Sequence, residues 1–255
     1  MGLFNWGKKN KDKNERAPEE LSVPTHIAII PDGNRRWARK RLLPVRVGHH
    51  QGAETFKKIV RYAQSLGVKY VTFYAFSTEN WKRAEAEVSA LMKIMLNFLI
   101  NSDEELGEDR DRLKIEVIGD ITRLSEELQH EIARVKKDTE NNPGTVTIIA
   151  LNYGGRDEIT NCVRKIAEEV KEGELEPSQI TEETISSHLY TAGTPDPDLL
   201  IRTSGEQRIS NYLLWQMAYT EFYFSDKLWP DFDKEDLDAA IAVYNSRDRR
   251  YGGTK

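Results

Sequence analysis

His26-Ile27-Ala28-Ile29-Ile30-Pro31-Asp32-Gly33-Asn34-Arg35-Arg36-Trp37 joins an apolar run to a basic, helix-competent segment through a Pro-Asp-Gly-Asn turn. The run His26–Ile30, apolar after its first residue, reads as a buried strand that the turn brings to a stop. Asp32 or Asn34 is placed to cap the helix that follows. Free backbone N–H groups at a helix start, with Arg35 and Arg36 beside them, attract a phosphate. An aspartate in the same turn repels a bare phosphate, so its presence points to a divalent cation between the two. The competing reading is a purely structural Asp-Gly turn. The stretch proposes a magnesium–diphosphate site, and the rest of the chain decides between the two.

Outward from this unit, apolar runs alternate with helical patterns. Tyr70–Phe76, Leu113–Ile118, Val146–Leu151 and Leu199–Arg202 read as further strands, rich in β-branched or aromatic residues. Helical stretches lie near His49–Ser65, Glu85–Leu106, Ser125–Glu140 and Arg156–Lys171. Such alternation predicts a parallel sheet covered on both faces, with ligands at the carboxyl ends of its strands. The polar motifs follow strand ends: Asp32, then Ser77–Asn80, then Asn152–Gly155, then Thr203–Glu206. In the helix from Glu85, residues Val88, Leu91, Met92, Met95, Phe98 and Leu99 form one apolar face, extended by Ile94 and Leu96. That stripe is either core or, with its pliable methionines, the wall of a tunnel for a hydrocarbon.

Composition bounds the function. The 255 residues suit one generous α/β domain, and 38% hydrophobic with 31% charged residues describes a charge-rich globular protein. A net charge of −5 argues against wholesale nucleic-acid binding, so an anion site must be local. The single Cys162 excludes an intramolecular disulfide and suits a reducing cytoplasm; it reads as a buried thiol. No apolar run reaches the roughly 18 residues of a membrane span, and Met1–Trp6 is too short for a secretory signal. The segment 1–24, with Leu3, Phe4 and Trp6 before a run of lysines, reads as a flexible tail. The sharper reading is a peripheral contact with an anionic membrane surface. Trp6 breaks the myristoylation pattern.

Two further segments carry chemistry. Phe76-Ser77-Thr78-Glu79-Asn80-Trp81-Lys82-Arg83 crowds an acid, an amide, an arginine and two large aromatics into a loop that opens a helix, with Thr78 available as a cap. Arg202-Thr203-Ser204-Gly205-Glu206-Gln207-Arg208-Ile209-Ser210 sets guanidinium and hydroxyl donors around a glycine turn. Two arginines bind phosphate oxygens bidentately and so suit a second diphosphate. Glu206 either orients an arginine or holds a metal.

In order and spacing, Pro31 to Ala38, Gly48-His49, Tyr74 to Arg83, Asn152-Tyr153-Gly154-Gly155-Arg156 and Asp198 to Ser210 resemble the signature of the cis-prenyltransferases. Trp229-Pro230-Asp231-Phe232 and Arg249-Arg250-Tyr251-Gly252-Gly253 complete the series, which covers 25–253. The resemblance implies a single catalytic domain over 25–255, of α/β class, with a central, mostly parallel sheet flanked by helices and a hydrophobic tunnel. It implies a cytoplasmic homodimer that extends farnesyl diphosphate with isopentenyl diphosphate units in cis geometry, with Mg²⁺, toward an undecaprenyl-length carrier for cell-wall synthesis.

By the same resemblance, Asp32 is the catalytic aspartate, associated with Mg²⁺, and Glu221 is the acidic residue near the metal at the dimer interface. Asn80 assists condensation and Arg83 supports the site. Gly33, Asn34, Arg35, Arg36 and His49 bind the allylic diphosphate, and Arg202, Arg208 and Ser210 bind isopentenyl diphosphate. Trp37, Ser77, Thr78, Glu79 and Trp81 accompany them as substrate-binding candidates; His26, at a strand start, reads as structural, although the resemblance puts it near the site floor.

The sequence departs from the family pattern at Arg35, where bacterial relatives usually carry Gly, and at Gln207, where some carry His. The arginine expected at Val45 stands one residue later, at Arg46. Ala75, small where the tunnel would open, favours long products over a short-chain synthase. A non-catalytic partner subunit would lack the Asp-Gly-Asn or Arg-x-Ser-Gly-Glu set, and both are present. A phosphate-binding hydrolase would need a nucleophile or a carboxylate metal cluster that the sequence does not offer.

Overall fold

The computed structural model describes residues 22–247. Within them β1 (His26–Ile30), β2 (Tyr70–Ser77), β3 (Leu113–Ile118), β4 (Thr145–Tyr153), β5 (Leu199–Arg202) and β6 (Glu221–Phe224) form one sheet in the order β3-β4-β2-β1-β5-β6. Every pairing is parallel. The helices are α1 (Asn34–Lys40), α2 (Val45–Ser65), α3 (Glu85–Ile100), α4 (Ser102–Leu106), α5 (Glu126–Asp138), α6 (Gly155–Glu172), α7 (Glu182–His188) and α8 (Lys234–Asn245).

The two-residue period of the strands sorts their side chains between two cores. Ile27, Ile29, Phe73, Ile149 and Ile201 face one way, onto Ile59 of α2, Ile132 of α5 and Leu237 of α8. Ala28, Ile30, Tyr74, Ala150 and Leu200 face the other, onto Tyr153, Tyr212 and Leu213. β1 is buried at every position because both faces are covered. On the second side the buried Glu158 carboxylate accepts hydrogen bonds from the Tyr153 hydroxyl, the Tyr190 backbone N–H and the Gln216 amide. It thus ties the end of β4 to the segment after β5. Cys162 is buried on α6, as its pattern predicts.

Several boundaries differ from expectation. The helix predicted over Glu85–Leu106 breaks at Asn101 and resumes as the short α4. β6, α7 and α8 were not anticipated. Neither Asp32 nor Asn34 caps α1: the N-cap is Gly33, at φ 110°, a left-handed conformation that glycine adopts without strain. A Cβ there would sit 3.0 Å from Leu228 and 3.1 Å from Ser204, so the turn is also too tight for a side chain. Ser77, not Thr78, stands at the N-cap of the 3₁₀ turn Thr78–Lys82. His26 opens β1, so it lies at the amino end of the strand and away from Asp32, not on the floor of the site. Tail residues 1–21 and the Arg249-to-Gly253 motif fall outside the described residues. Among the described residues no helix is long and apolar enough to cross a membrane.

Candidate active site

The loops leaving the carboxyl ends of β1, β2 and β5 converge on a cavity of about 850 Å³. The first loop and α1 contribute Asp32, Gly33, Asn34, Arg35 and Arg36, and α2 contributes His49. Ser77, Glu79, Asn80 and Arg83 follow β2; Arg202, Arg208 and Ser210 follow β5. The sequence candidates from three separate motifs therefore share one wall-to-wall space.

Its charges are cross-linked. Arg202 is almost fully buried, and its Nη2 donates to Asp32 Oδ2 at 2.9 Å. Its Nη1 donates to Ser210 Oγ at 2.7 Å and to the Arg208 carbonyl. Nε is buried without a partner in the protein. Arg202 is thus a strut between the β1 loop and the β5 loop as well as a cation on the cavity wall. Arg36 Nη2 lies 3.7 Å from Asp32 Oδ1 and 3.1 Å from Glu206 Oε1, and Nη1 donates to the Ser204 carbonyl at 3.0 Å. Arg208, the most exposed of these guanidinium groups, pairs with Glu206. Glu206 therefore orients arginines, one of the two roles open to it.

A second hub centres on Glu87, in the first turn of α3. Its carboxylate lies 3.0 Å from Arg83 Nη1, 3.4 Å from His49 Nε2 and 3.7 Å from Arg35 Nε. Burial lowers the His49 pKa below its ordinary value, with Glu87 pulling the other way. Burial likewise pushes Glu79 up, but hydrogen bonds from its own backbone N–H and from Asn211, Ser77 and Thr78 outweigh that, and its pKa stands below the usual value. Asn80 Oδ1 accepts from the Ser77 backbone N–H at 3.1 Å, which fixes its amide at the cavity edge.

Trp37, Thr78, Trp81 and Glu221 do not line this cavity. Trp37 Nε1 donates to Asp231 at 2.7 Å and Arg41 covers its ring, so it anchors α1 to the Trp229-Pro230-Asp231 turn. Trp81 packs edge-on against Phe76 and donates to Asn152 Oδ1 at 2.7 Å. Glu221 opens β6 level with Leu199 and Ile27 and pairs with Arg247. Asp32 lies beyond Ile30, which is level with Phe224 at the far end of β6. A single chain does not bring Asp32 and Glu221 together. Arg46 is exposed and off the cavity wall, whereas Arg39, outside the predicted set, is on it. Arg39 is i+3 from Arg36 and i+4 from Arg35, a spacing that shares a helix face. Tyr74 and Asn211 also line the cavity unanticipated.

An apolar cavity of about 120 Å³ adjoins the polar one, sharing Pro31, Asn34, His49, Ala75 and Leu91 with it. Met92, Met95 and Phe98 of the α3 stripe form part of its wall, opposite Phe56 and Phe73. It is smaller than the roughly 300 Å³ of an ordinary ligand pocket, and no tunnel is seen among the described residues.

For a metal, no three His, Cys, Asp or Glu side chains converge among the described residues. Mg²⁺ is ordinarily held by one or two carboxylates, with substrate phosphate and water completing its octahedron. Asp32, a hard oxygen donor on the cavity wall and 30% exposed, fits that requirement.

Residues 30–252 match the Prenyltransf family model, described as undecaprenyl diphosphate synthase. The chain is 50% identical to the isoprenyl transferase of Clostridium perfringens, over 97% of each protein. It is 48% identical to the ditrans,polycis-undecaprenyl-diphosphate synthase ((2E,6E)-farnesyl-diphosphate specific) of Micrococcus luteus, over 96% of this chain and 98% of that one. Among solved structures, lavandulyl diphosphate synthase from Lavandula x intermedia, in complex with dimethylallyl diphosphate, superposes with a TM-score of 0.87 at 44% identity. The match covers 90% of this chain and 98% of that structure.

Proposed function

The chain belongs to the undecaprenyl diphosphate synthase family of cis-prenyltransferases, and on that premise we propose that it extends farnesyl diphosphate with isopentenyl diphosphate to an undecaprenyl-length product, using Mg²⁺. The observation that carries this reading is the junction of an arginine-lined polar cavity with an apolar one. An amphipathic substrate would set its diphosphate head in the first and the near end of its hydrocarbon tail in the second.

The allylic diphosphate lies along Arg35, Arg36 and Arg39, with His49 beside it. Breaking the allylic C–O bond leaves negative charge on that diphosphate, which these guanidinium groups stabilise as it develops. Isopentenyl diphosphate lies on Arg202, Arg208 and Ser210. Asp32, in contact with Arg202 and near Arg36, stands between the two diphosphate positions. The double bond of the isopentenyl unit attacks the allylic carbon as the C–O bond to diphosphate breaks, and the proton then lost from the isopentenyl unit passes to an oxygen of the released diphosphate. Apolar walls keep water from the electron-poor carbon. Asp32 would hold Mg²⁺, which when bound supplies further neutralisation of diphosphate charge.

The small apolar cavity must widen as the chain grows, and α3 is the wall suited to move, since its methionine-bearing face is only partly buried. A homodimer is part of the same reading: β6 is an edge strand whose four residues, three of them aromatic, are all half-buried. The test is incubation with farnesyl diphosphate, labelled isopentenyl diphosphate and Mg²⁺, with product length read by chromatography. An undecaprenyl-sized product that is lost in Asp32→Ala supports the reading. A short product retains the chemistry and rejects the length.

A further inference from the structure

Over residues 210–213 the backbone turns left-handed at three positions that are not glycine: Ser210 at φ 51°, Asn211 at φ 64° and Leu213 at φ 43°. Side chains disfavour that conformation, asparagine least, so something outside the loop must hold it. The holding atoms converge on Asn211. Its Oδ1 accepts from the Arg156 backbone N–H at 2.9 Å, and its backbone carbonyl accepts from the Gly155 N–H at 2.7 Å. Its Nδ2 donates to Glu79 Oε1 at 2.9 Å. One residue therefore joins the loops after β2, β4 and β5.

The glycine pair of the Asn152-to-Arg156 motif exists to admit this joint. A Cβ on Gly154 would fall 2.8 Å from Asn211 Nδ2 and 2.7 Å from Thr78 Oγ1; one on Gly155 would fall 2.7 Å from Leu214. The neighbouring residues are aimed as a consequence. Ser210 Oγ receives Arg202, the Ser210 carbonyl receives the Tyr74 hydroxyl at 3.3 Å, and Tyr212 stacks on Tyr74 with ring centroids 4.4 Å apart.

We propose that Asn211 is a positioning residue that sets the Arg208–Ser210 edge of the cavity for the diphosphate of the isopentenyl unit. This rests on the reading of that edge as the isopentenyl diphosphate subsite. Because Asn211 acts through the β5 loop, its loss weakens that substrate and leaves the allylic one, held by α1 and α2, as before.

The experiment titrates isopentenyl diphosphate onto full-length protein holding farnesyl thiodiphosphate, and in parallel titrates farnesyl thiodiphosphate alone, both by calorimetry. Asn211→Gly keeps the left-handed turn and removes the side chain; Asn211→Asp keeps the acceptor for Arg156 and sets a carboxylate against Glu79. Both should weaken isopentenyl diphosphate by about tenfold or more, the effect of one lost charge-assisted hydrogen bond, with the farnesyl analogue within about twofold. Adding Glu79→Gln to Asn211→Asp restores a donor–acceptor pair and should recover most of the loss. Unchanged isopentenyl affinity in Asn211→Gly overturns the proposal, as does an equal loss for both ligands with a lowered melting temperature, or a double variant no better than Asn211→Asp. Arg208→Ala separates the two levels. If it weakens isopentenyl diphosphate while Asn211→Gly does not, only the role of Asn211 falls; if it changes nothing, the subsite and the proposal fall together.

Discussion

Arg202 Nη2 donates to Asp32 Oδ2 at 2.9 Å, and the same guanidinium holds Ser210 Oγ and the Arg208 carbonyl from its other amino group. One buried cation thus fixes the distance between the aspartate of the first loop and the edge that follows β5. A lysine in its place has one compact head and cannot span acceptors on opposite sides. Arg202→Lys should lower kcat/KM for isopentenyl diphosphate by about 100-fold, or about 2.7 kcal/mol. A variant within about threefold of the parent in steady-state assays would show that the strut is dispensable.

His26 is buried at the start of β1, where Nδ1 donates to the Pro195 carbonyl at 2.7 Å and Nε2 accepts from the Thr72 hydroxyl at 2.7 Å. Burial lowers its pKa from 6.5 to about 4, against smaller opposing effects of Pro195 and Asp198. The unfolded chain therefore binds more protons than the folded one between those values. Stability is whole above the unfolded pKa and is lost as pH falls toward about 4, by up to about 3 kcal/mol. His26→Asn keeps a donor for Pro195 and has no proton to gain. Its urea midpoint should vary less with pH across that window than the parent's; an equal slope would place the titration on another group.

Glu87 opposes the burial effect on His49 from a distance of 3.4 Å. In Glu87→Gln that support is gone, so the His49 pKa should fall further below its ordinary value. The ring-proton resonance of His49, followed by NMR against pH, reads this directly. An unchanged or raised midpoint would mean that the Glu87 contact does not govern the histidine.

The Phe56 and Phe98 rings, 5.6 Å apart and edge to face, line both the apolar cavity and a smaller space of about 10 Å³ beyond it. Phe98→Ala should join the two and shift products to longer chains. Ala75→Phe, at the rim shared with the polar cavity, should shorten them. Chromatography of the products decides, and parental length in both variants would separate chain length from this cavity.

The sheet was largely legible because β1 and β5 are buried on both faces and β3 alternates buried with half-buried residues, so apolar runs bounded by turns give all three at their observed limits. β6 escaped because Glu-Phe-Tyr-Phe is a half-buried edge strand of four residues with no alternation to read. α8 escaped although its capping box, Asp233 with Asp236, stands in the sequence. In the site, the motifs located the arginines, but adjacency in sequence misassigned their neighbours. Successive helix residues point about 100° apart, so Arg36 faces the cavity while Trp37 turns to Asp231. Arg39 shares the face of Arg36 and was recoverable by period. Asn211 was not, because its role depends on contacts with Arg156 and Glu79, far away in the chain.

In the proposed reaction one cavity holds both diphosphates and Asp32 serves the reacting step. Single-turnover rapid quench of Asp32→Asn, with farnesyl diphosphate, isopentenyl diphosphate and Mg²⁺, tests it most directly. The condensation rate should fall by about 1000-fold or more, about 4 kcal/mol, while both substrates still bind. Condensation at the parental rate, or complete loss of substrate binding with no separable effect on the chemical step, would contradict it.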